Sequence, residues 1–246
     1  MKEKYGGNGK SYKCNEEGGI FLQASSLMHE EISGKPSIFG IFTSPTLQFK
    51  RMKNQRNIFF PLAFLIVLII ISSALMSWNS LNNPALSMFH DKTGFTVPKY
   101  ITFFTTFGFA AVSGIVAILF APIFYKNIMI FFGVDINYKE TFPIIIYTSF
   151  VLRLGMILNG LIAFSLSGYE ISYTGLGAIA TDNMILHTIA QRIDIFNIWY
   201  YVLLGIGLKT ITNLNKDKLI PLIIVLFVFT SLLASMAGFM QEIAKP

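Results

Sequence analysis

The sequence predicts an all-α membrane protein, a bundle of five transmembrane helices with a short amphipathic helix ahead of the first, on three observations. Apolar residues make up 53% of the chain against 13% charged, and mean hydropathy is +0.59. A soluble domain of that composition would expose large apolar patches. The apolar residues fall in five long runs, and the basic residues gather at the ends of those runs. That placement makes anionic lipid headgroups, not nucleic acid, the counter-charge for a net charge of +6 and a pI near 9.3. One cysteine, Cys14, excludes an internal disulfide and a multi-cysteine metal site.

Residues 1–36 mix charge, Gly and Ser and lack the apolar core of a signal peptide, so they read as an uncleaved, mobile cytoplasmic tail. Within them, residues 20–32 have only weak helical periodicity. His29 beside Glu30 and Glu31 lacks the second histidine that a zinc helix needs and reads as a solvated run. Residues 37–57 form an amphipathic segment. Ser44 before Pro45 reads as an N-cap and first helical position, Leu47, Phe49 and Met52 as apolar anchors, and Lys50, Arg51, Lys53 and Arg56 as headgroup contacts. A plain basic flank that fixes orientation is the compatible alternative.

The membrane domain is expected over 58–246. Its first span, 58–78, is long enough to cross a hydrocarbon core of about 30 Å. A connection with Asn-Pro and Thr-Gly turn signals runs to Tyr100. The second span, 101–125, carries Gly108, Ala111 and Gly114 as a small-residue face, with Pro122 kinking its exit into a short interfacial continuation that turns at Gly133. The third span, 142–164, contains Arg153. A Gly- and Ser-rich loop, 165–180, precedes a helix starting near Asp182 that leads into the fourth span, 193–211, which opens with Asp194. A polar hairpin then leads to the fifth span, 219–239.

Orientation follows from the positive residues. With the amino terminus inside, the inner flanks hold Lys50, Arg51, Lys53, Arg56, Lys126, Lys139, Lys209, Lys216 and Lys218, and the outer flanks only Lys92, Lys99, Arg192 and Lys245. That bias places the amino terminus in the cytoplasm and the carboxy terminus outside.

The chemical inventory is short: no phosphate-binding lysine loop, no paired histidines at metal spacing and no proton-relay charges, so no cofactor, metal or catalytic residue is assigned. Ser113-Gly114 lacks the surroundings of an intramembrane protease serine. The remaining candidates are Arg153 and Asp194. Each is costly alone at bilayer depth, and each lies about 21–22 Å along a helix from its flanking lysine, Lys139 or Lys209. Antiparallel neighbours could bring the two together, with Asn159 and Asn197 on the same polar face. The alternative puts Asp194 beside Arg192 at the outer interface and leaves Arg153 bonded to carbonyls.

FTSPTLQFKRMKNQRNIFFPL, FFGVDINYKETFPIIIYTSFV and IDIFNIWYYVLLGIGLKTITNLNKDK together cover most of the chain from Thr43 onward. In their order they resemble the YIP/YIF family of five-span membrane proteins, the Ypt/Rab-interacting proteins and their YknW-like bacterial relatives. Asp194, Phe196 and Trp199, followed by Gly205 and Gly207, fall where the family pattern has an acid, an aromatic and a tryptophan ahead of glycines. The resemblance implies a non-enzymatic accessory protein that associates with the membrane subunits of an ABC-type peptide exporter and supports resistance to a toxic peptide. The Ile, Lys and Asn bias suits a low-GC Gram-positive bacterium and hence a bacterial cell membrane. Partners so implied are membrane lipids and exporter subunits, with a homo-oligomer also compatible. The competing function is a small solute carrier or channel that uses Arg153 and Asp194 at its midplane.

Overall fold

A computed structural model describes residues 34–54, 57–178 and 184–243. Expectations for the tail, for a helix over 20–32 and for Arg56 lie outside these residues. The described residues form nine α-helices and no strand: α1 (Gly40–Thr43), α2 (Pro45–Asn54), α3 (Phe59–Asn79), α4 (Pro84–Thr93), α5 (Lys99–Phe131), α6 (Tyr138–Ser165), α7 (Met184–Ala190), α8 (Ile195–Thr212) and α9 (Lys216–Ile243).

The centre is α6. FPIIIYTSFV is apolar on every side, as a helix enclosed all round requires, and Pro143 to Val151 are buried without a break. Helix α6 packs against α3, α5 and α8, while α2 lies on α8, and α9 contacts α7 and α8. Among the described residues, four stretches are long and apolar enough to cross a membrane: 59–82, 99–131, 138–165 and 195–212. Of their most apolar windows, 61% is buried in α6 but only 17% in α5, so α5 is the most peripheral of the four.

Local chemistry moves several boundaries. Helix α5 continues through Pro122 to Phe131 instead of ending there. The carbonyl of Leu119, in the turn before the proline, accepts from the Tyr138 hydroxyl at 3.2 Å. The N–H that Pro122 lacks would have reached the Ile118 carbonyl, so the Tyr138 bond falls on the neighbouring carbonyl of the same turn. The chain reverses at Gly133, whose φ of +72° suits glycine. Helix α6 starts before residue 142 because Asn137 and Glu140 form a capping box, with the Asn137 amide donating to Glu140 Oε2 at 3.1 Å. In the connection before Tyr100, Pro84 opens α4 as a first-turn proline, and Gly94 follows its end at φ +68°.

Helix α2 begins at Pro45, as the sequence implies. Its Gln48, Phe49 and Met52 are buried, while Lys50 and Lys53 are exposed. The segment is therefore held by protein packing on one side and presents its cations on the other.

Candidate functional site

The expected fourth span is shorter at its start than its apolar run. Helix α8 begins at Ile195, after a separate α7 and a turn, and Asp194 is its N-cap. Asp194 is 6% exposed. Its Oδ1 accepts from the amides of Phe196 at 2.8 Å and Asn197 at 3.2 Å. Its Oδ2 accepts from Ser172 Oγ at 2.8 Å and from the Thr174 hydroxyl. Two amides at a helix N-terminus and two hydroxyls stabilise a carboxylate without any cation.

Thr174 carries the same network to α6. Asn159, also buried, donates from Nδ2 to Thr174 Oγ1 at 2.9 Å and to the Gly155 carbonyl at 3.0 Å. Its Oδ1 accepts from the amides of Tyr173 at 2.7 Å and Thr174 at 2.9 Å. An isolated antiparallel bridge pairs Gly175 with Asp194, and the Leu176 amide donates to the Ile193 carbonyl at 3.1 Å. Asn197 closes the turn ahead of α8 by donating to the Arg192 carbonyl at 2.7 Å. Asp194 and Asn159 thus form one clamp that fastens the 172–176 loop between α6 and α8, while Asn197 braces the turn ahead of α8.

Arg153 is not part of it, and the expected pair with Asp194 does not form. The reason is azimuth. Gly155 faces α8 so closely that a Cβ there would lie 2.5 Å from Phe196 Cβ. Arg153, two residues earlier, is turned about 200° from that direction, whereas Asn159, four residues later, stays within about 40° of it. The guanidinium lies instead against α5, where a Cβ on Gly114 would be 3.0 Å from Arg153 Nη2 and 3.0 Å from Ile69 Cγ2 of α3. Arg153 Nη1 donates to Met156 Sδ at 3.4 Å.

The remaining sequence candidates divide by packing. Phe196 seats on Gly155, and Gly207 admits Phe49 and Ile144, since a Cβ there would stand 2.9 Å from Phe49 Cε1 and 2.7 Å from Ile144 Cγ2. Gly205 has only ordinary contact with Ile223, and Trp199 is exposed. Arg51 lies against Gly34, with its Cζ 3.1 Å from a Cβ built there.

Sequence reasoning missed Ser172 and Thr174, which looked like ordinary loop residues. The signal was a Ser-x-Thr hydroxyl pair in a chain with a nearby unsatisfied acid. It also missed a polar cluster in which His187 Nε2 lies 2.9 Å from Glu170 Oε2 and Gln191 Nε2 donates to the same oxygen at 2.9 Å. Buried hydroxyls join α5 to α8 at Tyr125 and Tyr200, 2.8 Å apart, and a partly buried pair joins α8 to α9 at Tyr201 and Thr230, 2.5 Å apart. Among the described residues no group of three or more His, Cys, Asp or Glu side chains could hold a metal ion.

Comparison with known proteins bears out the family resemblance. The Yip1 domain family model matches residues 39–238. The chain is similar to the membrane protein YknW of Bacillus subtilis strain 168, at 29% identity over 217 residues, which cover 83% of this chain and 94% of that protein. No solved structure matches.

Proposed function

The chain belongs to the Yip1 domain family, and from that premise we propose that it is a non-enzymatic, multi-pass accessory protein of a bacterial cell membrane. In this reading it associates with the membrane subunits of an ABC-type peptide exporter and supports resistance to a toxic peptide. The division of its polar groups carries the reading. Asp194 and Asn159 are used inside the bundle to hold a loop, while α5 turns Phe104, Phe109, Val112, Val116 and Phe120 outward. Such a chain offers surfaces to a partner rather than a polar path to a solute. The decisive test is affinity purification of the full chain in mild detergent from cells that express the exporter. We expect its membrane and ATPase subunits to co-elute, and deletion of the chain to raise sensitivity to the exported peptide. Absence of both effects overturns the reading.

In the same proposal α9 supplies a fifth crossing, with the amino terminus inside and the carboxy terminus outside. The cations of one end of the bundle support it: Lys53 and Lys139 line one shallow hollow, and Lys218 Nζ stands 3.6 Å from a Cβ built at Gly133. With Cys14 replaced by serine, a cysteine at His90 is expected to react with an impermeant maleimide on intact cells. One at Asn215 is expected to react only after permeabilisation. The reverse pattern refutes this orientation.

A further inference from the structure

Arg153 is a cation whose neighbours in the described structure include no acid. It stands about 18 Å along its helix from Ser165 and about 22 Å from Tyr138. The residues against it, Gly114 and Ile69, lie at the middles of α5 and α3. Its hydrogen bond goes to the sulfur of Met156, a weak acceptor for a group with five N–H donors. The side chain stays partly exposed. A guanidinium left so at mid-span is unfavourable until an anion meets it.

Three sources of that anion differ in fit. A helix the length of α6 spans about a whole bilayer, so lipid phosphates fall near its ends, out of reach of a side chain rooted so deep. Among the described residues a second copy of this chain offers no suitable acid: α3 and α5 contain no Asp or Glu, α6 and α9 carry theirs only in their end turns, and Asp194 already accepts from four donors. A carboxylate on another protein's spanning helix meets both conditions. Gly114 itself is buried, and Ala110 and Ala121 are half-buried, so the approach runs over Ala117, which is exposed one helical step from Gly114. Small side chains there permit close helix contact.

We propose that Arg153 is the docking point for an Asp or Glu carried at mid-span by a membrane helix of a partner protein, seated along α5 over the exposed Ala117. The proposal rests on the accessory reading above and specifies the chemistry of the partner. The planar guanidinium can take the carboxylate with two parallel N–H donors, which fixes orientation as well as charge.

The test uses the full chain in phosphatidylcholine vesicles with a dye-labelled, leucine-rich spanning peptide of about 20 residues bearing one central Asp or, as control, one central Asn. Energy transfer is expected to show association about tenfold tighter for the Asp peptide. That preference should vanish in Arg153→Gln, persist in part in Arg153→Lys, and invert toward a Lys-bearing peptide in Arg153→Glu. Equal binding of the Asp and Asn peptides overturns the proposal, as does displacement of the Asp peptide by phosphatidylglycerol. Should Arg153→Gln lose its helical circular dichroism, Ala117→Phe decides. It leaves the arginine in place and obstructs the approach, so an unchanged Asp preference overturns the seat. Loss of peptide selectivity with exporter co-elution intact removes this docking point alone. The converse removes the exporter assignment alone.

Discussion

Replacing Asp194 with alanine is expected to destabilise the protein by about 3–5 kcal/mol, measured as thermal unfolding in lipid nanodiscs. The substitution removes a helix cap, worth about 0.5–2 kcal/mol. It also strands the Ser172 and Thr174 hydroxyls and the Phe196 and Asn197 amides, all of which donate to the carboxylate. Buried donors left unsatisfied cost about 1–3 kcal/mol each, less where they find substitute partners. Asp194→Asn keeps an acceptor at the cap and should cost only about 1–2 kcal/mol. Hydrogen exchange should show the amides of Tyr173 and Thr174 losing protection in the alanine variant, since their anchor on Asn159 depends on the loop staying in place. A change below about 1 kcal/mol would mean that the carboxylate is not the fastening point.

Phe49→Ala is the second large effect, expected at about 3–5 kcal/mol for a fully buried aromatic side chain. The ring fills the space that Gly207 leaves on α8, so its loss should release α2 and expose residues 45–54 to hydrogen exchange. Gly207→Leu should release the same segment from the other side. Replacing Lys50 and Lys53 by Gln gives the contrast. Both side chains are exposed, and each is worth about 1 kcal/mol only against an anionic surface, so folding stability should hardly change while binding to phosphatidylglycerol vesicles weakens. Release of α2 by the double Gln variant but not by Phe49→Ala would show that lipid, not packing, holds it.

Much of the bundle was legible in the sequence because hydropathy and length bound a spanning helix. The ends were less so, since capping is written in polar residues that hydropathy ignores. INYKE contains the Asn137 and Glu140 box one turn ahead of the apolar run, and NPALSMFHDKTG holds a first-turn proline and a closing glycine for α4. Ile193 extends the apolar run past Asp194 and disguises that residue as part of the helix it caps. For the site, the sequence singled out Asp194, Asn159, Asn197 and Arg153, and each makes hydrogen bonds within the chain. It could not assign the partners, because depth along a helix is readable from spacing whereas rotation about its axis is set by packing. Gly155 against Phe196 sets that rotation. The spacing did contain a warning, since Arg153 and Asn159 are six residues apart and fall on well-separated faces of one helix. The loop residues Ser172 and Thr174 depend on contacts across 22 and 20 positions and left no periodic trace.

A carrier built on an Arg153–Asp194 pair and an accessory protein that sets Arg153 against α5 differ in one coupling. The direct measurement is a double-mutant cycle on thermal unfolding in nanodiscs, with Asp194→Asn, Arg153→Leu and both together. With Asp194 capped by its own helix and Arg153 directed at Gly114, the two losses should add, leaving an interaction term below about 0.5 kcal/mol. The swap Asp194→Arg with Arg153→Asp should then be no better than the sum of its singles. A coupling well above about 1 kcal/mol, or recovery of stability by the swap, would contradict the separation of the two charges.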